Sequence, residues 1–530
     1  MKATPTRRTL VAALTALALA AGACAPPPAT GPRLATGDGP GRSGSSPGHT
    51  QTTDRPEWLA PETDLQWSTC GDRRDGGLAE NATFDCGMAG QSLVVKVTSS
   101  ATPDDAAPLV VVAGAETPAS VLAARLASTS TDLLDSHPMV VVDHRGRADA
   151  AGTCLSFPAR RTLDGLADRG VDPGSPELRG DLADAAQSCT DQLQGRELDF
   201  GAVGAAEDLE ALRQHWRVPG LAVLGLGTGA RTALAYSTAH PDRLALLALD
   251  SPAPDNGDQE AEARTALAGS DAALRLWASA CTRVECGPGD ADQKVASISD
   301  ALDRAADPGA PVPAALLSDV IRSALSDLSG ASAPDAAEGD IILGDLVSAP
   351  PGELPDSVRE RAEELAGSSL PYIAGCSDLS QRVPVSRVEE LESEWSESPP
   401  FGVILAAQLS ACSTWPVPAP TPVEISPAVP VLLSAGIADP IGGAAMVEPT
   451  AGRLTAAGAT DVRTVTWGAP GSDVMLHSAC GRDALVSFLD DPDTVEDSTA
   501  CPSCRTGEPR TTPGIRAVTC NSCRCPPEIR

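Results

Sequence analysis

A chain of 530 residues is long enough for one large domain or two ordinary ones. Its 39 basic and 71 acidic residues leave a formal net charge of −32, which argues against nucleic acid as a partner. Fifteen cysteines fit disulfides in an oxidising compartment better than free thiols in a reducing one.

The first element is a targeting segment. Lys2, Arg7 and Arg8 precede the apolar run "LVAALTALALAAGAC", which reads as a secretory signal over residues 1–23, too short to span a membrane as a helix. Ala21, Gly22 and Ala23 before Cys24 resemble a bacterial lipobox, in which the cysteine receives lipid and becomes the new N-terminus; Ala21 stands where leucine is usual. That resemblance implies a lipid anchor at Cys24 and a place on the outer face of the cell membrane. Plain cleavage and secretion is the other reading. Residues 24–57 are rich in Pro, Gly, Ser and Thr, and read as a flexible tether. The tether holds the one literal G-x-S-x-G, Gly44 to Gly48, but no strand precedes it and no helix follows, so nothing would hold its serine against a base.

From Trp58 onward, short apolar runs alternate with amphipathic ones. "SLVVKV", "PLVVVAG", "PMVVVDHRG", "LAVLGLG", "LALLALDS" and "VPVLLSAG" predict strands, and their unbroken apolar character suits strands buried on both faces. "AAEDLEALRQHW" and "ARTALAYSTAH" predict helices. This alternation predicts an α/β fold, with a mostly parallel sheet covered by helices. Strand signals stop near Pro254 and return near Val429, which predicts a helical cap over 254–375 between a first core part, 58–253, and a second, 376–500. Sequence neighbours suggest local cysteine pairs: Cys70 with Cys86, Cys154 with Cys189, Cys281 with Cys286, Cys376 with Cys412, and Cys480 with Cys501. Connectivity itself is not fixed by spacing. In the tail, 501–530, Cys501, Cys504, Cys520 and Cys523 have zinc-ribbon spacing, but an exported chain favours disulfides or an irregular extension there, and no metal or cofactor is expected.

Several segments in order carry a resemblance. "LQWSTCGDR…FDCGMAGQSLVVKV", "VVVDHRGRADAAGTCLS", "AVGAAEDLEALRQHW", "GLGTGARTALAYSTAHPDRLALLALDSP", "PVLLSAGIADPIGG" and "MLHSACGRDALVSFLDDPDTVEDSTAC" resemble successive landmarks of the exported tripeptidyl and prolyl aminopeptidases of actinobacteria. The resemblance runs from about Trp58 to Cys501. It implies an α/β-hydrolase fold with a helical cap and, in working members, a serine nucleophile with an acid and a base. Asp439, in "GIADP" after an apolar strand, falls at the acid position. His477, after a polar turn and before a helix, falls at the base position; of the six histidines it alone follows Asp439.

The nucleophile position is where the chain departs. Gly225 and Gly229 satisfy the requirement for small residues on either side of a strained strand-to-helix turn, but the apex between them is Gly227, which has no side chain. A slip to Thr228 would put Leu226 in the crowded turn and aim the hydroxyl away from the apex. The oxyanion region, around Gly114 and Thr228, is altered too. Glu116 and Pro118 follow Gly114, and a carboxylate there opposes the negative charge that such a site receives. Loss of a triad nucleophile costs on the order of 10⁶-fold in turnover. The expectation is a degenerate hydrolase that keeps a pocket for a peptide or small ligand. The alternative is a hydrolase in which Asp439 and His477 activate water or an unrecognised nucleophile.

Overall fold

The computed structural model describes residues 55–70, 82–147, 150–329, 337–416, 429–459 and 461–503. The signal, Cys24, most of the tether and the tail from residue 504 lie outside the described residues.

Ten strands form one sheet. They are β1 (Ser68–Thr69), β2 (Ala82–Ala89), β3 (Ser92–Ser99), β4 (Leu109–Val112), β5 (Met139–Val142), β6 (Leu221–Leu226), β7 (Leu244–Asp250), β8 (Pro430–Ala438), β9 (Asp461–Pro470) and β10 (Ser498–Cys501). Their order is β1-β2-β3-β5-β4-β6-β7-β8-β9-β10. The first three strands run as an antiparallel meander, and β3 also pairs antiparallel with β5. From β5 to β10 every pairing is parallel. The mostly parallel sheet covered by helices that the alternating runs predict is present.

The unbroken apolar strands have the cause expected of them. Successive side chains point to opposite faces, so Leu109 and Val111 pack under Leu122 and Leu126 of helix Ala119–Thr129. Val110 and Val112 pack on the other side, with Leu209 and Leu212 of helix Ala202–Trp216 and Leu234 of helix Gly229–Ala239. Both faces are covered, so neither can be polar.

No strand occurs between Asp250 and Pro430 among the described residues, and this stretch is helical. Its helices have their own core, in which Leu274 and Trp277 of helix Gln259–Val284 join Leu317 and Ile321 of helix Ala314–Ser326. Val388, Leu391 and Trp395 of helix Val385–Trp395 belong to that same core, as does Leu405 of helix Gly402–Gln408. The cap therefore continues past residue 375, where the sequence placed its end. The charged pattern "VSRVEELESEW" offers no strand signal, but it gave no reason to assign the helix to the cap. All five cysteine pairs suggested by sequence neighbours are disulfides.

Candidate functional site

The turn after β6 is built by close packing. A Cβ on Gly225 would come within 2.7 Å of the Ala230 Cα, and one on Gly229 would collide with the Val112 carbonyl oxygen. Strand, turn and helix can approach this closely because both positions are glycine. Gly227, at the apex, has φ +52°, in the left-handed region that a serine would occupy only under strain. A Cβ there would meet only the Ile441 side chain, at 3.1 Å. The backbone is pinned from both sides: the Gly227 N–H donates to the Asp250 carbonyl at 2.9 Å, and the Ala253 N–H donates to the Gly227 carbonyl at 3.0 Å.

Gly227 lines a cavity of about 600 Å³ between the sheet and the cap, within the usual range for small-molecule sites. Gly114 and Thr228 line it too. The Thr228 hydroxyl donates to Glu116 Oε2 at 2.6 Å, and this pair lies over Gly114 so closely that a Cβ there would overlap both side chains. A carboxylate thus stands against Gly114 and Thr228 at the cavity.

Asp439 follows the end of β8 and is fully buried. Its Oδ1 accepts from the Ser472 hydroxyl at 2.7 Å and from the Ile441 N–H at 2.7 Å, while Oδ2 has no hydrogen-bond partner. Burial pushes its carboxyl up to about 6, against the pull of those donors. His477 ends the short helix Val474–His477 and stands elsewhere. Its ring stacks on Trp467 with centroids 6.1 Å apart, and its Nε2 lies 3.2 Å from Asp327 Oδ1, at ion-pair distance but without hydrogen-bond alignment. Burial would raise Asp327, but His477 and Arg125 outweigh it and hold that carboxyl at about 2. Neither Asp439 nor His477 lines the cavity, and among the described residues no hydrogen bond or ion pair joins them.

The residue of this turn that does face the cavity is Asp473. It has φ +53°, an uncommon backbone state for a residue other than glycine. Burial, reinforced by the nearby charge of Asp250, pushes its carboxyl up to about 7. Sequence reading missed it because "PGSDVMLH" offers a histidine at a plausible spacing. The available signal was the Gly-Ser-Asp turn directly after the strand. The reading also missed the ionic floor and walls. Arg231 pairs with Glu262 at 2.8 Å, Arg125 with Glu338 at 3.0 Å, and Arg322 lies 3.6 Å from Asp319. All six line the cavity. Arg125, on the core helix Ala119–Thr129, also lies 3.5 Å from Asp327 of the cap, so one side chain ties the two parts together.

The cavity is thus bounded by a turn with no side chain at its apex, Gly227, and by the carboxyl of Asp473, while buried Asp439 is bonded to Ser472 outside the lining. Residues 398–501 match the family model described as TAP-like protein. No curated protein sequence matches the chain. Among solved structures it is similar to an epoxide hydrolase from an endophytic Streptomyces, at 13% identity and TM-score 0.36, over 80% of this chain and 100% of that one. It is similar also to epoxide hydrolase A from Mycobacterium thermoresistibile, at 16% identity and TM-score 0.35, over 77% of this chain and 98% of that one. A serine hydrolase from Cycloclasticus zankles is similar at 10% identity and TM-score 0.35, over 78% of this chain and 99% of that one.

Proposed function

We propose that this chain, an α/β-hydrolase-fold protein with a TAP-like C-terminal part, is a non-catalytic binding protein that holds a peptide or small ligand in the cavity between sheet and cap. The observation that carries the reading is Gly227: the apex opens on the cavity with no atom able to attack a carbonyl. Two further features support it. Glu116 stands over Gly114, where hydrogen-bond donors for an oxyanion would be needed, and Asp473 faces the pocket in the turn that would carry the base. The alternative, water activated by Asp439 and His477, needs both groups at the cavity, and neither lines it.

The protein acts outside the cytoplasm, anchored through Cys24 or secreted. The signal-like N-terminus and five disulfides support this.

A fluorophosphonate probe, followed by assays with peptide nitroanilides and short-chain esters, tests the reading. Neither labelling nor turnover above background is expected. The Gly227→Ser variant is also expected to stay at background, because Glu116 and Asp473 remain. Covalent labelling of Thr228, the cavity hydroxyl already bonded to a carboxylate, or turnover by the native chain overturns it.

A further inference from the structure

The cap is tied to the core by ion pairs in two places. One lies by Pro254, where the chain enters the cap: Arg231 of helix Gly229–Ala239 pairs with Glu262 of helix Gln259–Val284, both side chains mostly buried. The other is far along the chain from either end of the cap, where helix Ala314–Ser326 gives way to helix Glu338–Ser348. Arg125 of the core lies 3.5 Å from Asp327 Oδ2 and 3.0 Å from Glu338 Oε2, and His477 Nε2 lies 3.2 Å from Asp327 Oδ1. Two core side chains thus address the two oxygens of one cap carboxylate. Exposure rises outward through the group, from 9% at the His477 side chain through 15% at Asp327 and 26% at Arg125 to 53% at Glu338. Arg125, Asp327 and Glu338 all line the cavity, so the cavity reaches solvent here.

Charge is what ties His477 to the cap. Its Nε2 is buried with no aligned hydrogen bond among the described residues, and its ring lies along Trp467. Around it stand Asp327 at the edge of the cap, Asp340 of helix Glu338–Ser348 and Asp473 of its own turn, and the His477 charge favours the ionised form of all three. On the positive side are Arg125 and Arg361, which both face Asp327. Arg482 of helix Ala479–Asp490 donates to the Met475 and Leu476 carbonyls at 3.2 and 3.0 Å. One tie at this edge needs no charge: the Ser472 N–H donates to the Ser326 carbonyl at 2.8 Å. Imidazole is the side-chain group that gains or loses its charge around neutral pH.

We propose that this cluster is a pH-dependent latch on the lip of the cap: with His477 protonated the lip is held to the core through Asp327, and as the imidazole loses its charge the lip loosens and the cavity opens beside Arg125. Such a latch serves a binding protein and an enzyme alike, so it does not depend on the non-catalytic reading. A second group titrates in step. Burial, with Asp250 beside it, pushes the carboxyl of Asp473 up to about 7; Asp327 acts in the same sense, and His477 and Arg125 oppose it. Asp327 itself, held at about 2, stays ionised throughout. Rising pH therefore removes a positive charge from one side of Asp327 and adds a negative one nearby, and both changes weaken the hold on the cap. The Arg231–Glu262 pair contains no histidine and stays closed, so the lip moves while the root of the cap is fixed.

The test is hydrogen–deuterium exchange of the full chain, read by mass spectrometry at about pH 5.5 and about pH 8.5 and corrected for the intrinsic effect of pH on amide exchange. Amides of helix Glu338–Ser348 and of the last turn of helix Ala314–Ser326 are expected to be about tenfold better protected at the acid value, while helix Val385–Trp395, elsewhere in the cap, is unchanged. His477→Phe keeps a ring on Trp467 without a charge, and His477→Gln serves if the first variant fails to fold. Either is expected to lose at least half of the pH step, and addition of Asp473→Asn to remove the remainder. A lip that exchanges alike at both pH values in the native chain overturns the latch. So does a step of full size in the His477 variants, or an equal change in helix Val385–Trp395, which marks general loosening of the cap.

Discussion

Two turns meet at the cavity and have fared differently. The turn over 225–229 is a tight strand-to-helix turn with glycine, and so no side chain, at its apex. The turn over 471–473 presents a side chain to the pocket, Asp473, from a left-handed backbone. What fixes each shape explains the difference. The first turn is determined by packing of backbone on backbone, since Gly225 and Gly229 let helix Gly229–Ala239 sit against β6 and β4. That requirement belongs to the fold and persists whether or not anything reacts at the apex. The second is determined by polar contacts, through the Ser472 hydroxyl on Asp439 and the Ser472 N–H on the Ser326 carbonyl at 2.8 Å. Hydrogen bonds accept substitutes more readily than close-packed backbone does, so the side chains of the second turn are less constrained than the glycines of the first.

Four substitutions separate the two causes. Gly229→Ala drives a methyl group into the Val112 carbonyl, and about 3 kcal/mol or more of stability should be lost in urea unfolding. A native midpoint for this variant would mean that packing does not hold the first turn. Ser472→Ala leaves buried Asp439 with one donor fewer at Oδ1 and should cost about 2 kcal/mol by the same measurement. No loss there would release the second turn from its proposed anchor. Asp473→Asn has an effect that only pH reveals. The native carboxyl stays protonated in the fold until about pH 7, whereas the unfolded chain releases that proton near 3.8, so native stability falls across that window while the asparagine variant is spared. Melting curves of the two proteins should coincide at the acid end and diverge in favour of the variant as pH climbs. Smallest is Gly227→Ala, for which the backbone strain at positive φ predicts a loss of about 1 kcal/mol, the side chain meeting only Ile441.

Much of this was legible in the sequence. Continuous apolar runs identified strands covered on both faces, and the glycine spacing located the tight turn after β6. Glu116 was readable as a misplaced charge because it follows a strand end that must face the pocket in this fold. The second turn was not readable in the same way. His477 and Asp473 lie four residues apart on either side of one short helical stretch, and linear order does not tell which of them points inward. A left-handed backbone at Asp473 and the stacking of His477 on Trp467 decide that, and both are tertiary facts. The cap boundary escaped for a related reason. Val388, Leu391 and Trp395 have helical spacing, but spacing says nothing about which neighbouring layer receives them.

The disulfides have one further consequence. Each of the five joins a cysteine to the very next one along the chain: 70 to 86, 154 to 189, 281 to 286, 376 to 412, and 480 to 501. On the proposed reading of an exported chain with Cys24 lipidated, a polypeptide emerging N-terminus first therefore meets each correct thiol partner before any later competitor has emerged. On that reading, an oxidant that links sulfurs in order of arrival yields these five bonds, and a shuffling isomerase has nothing to repair.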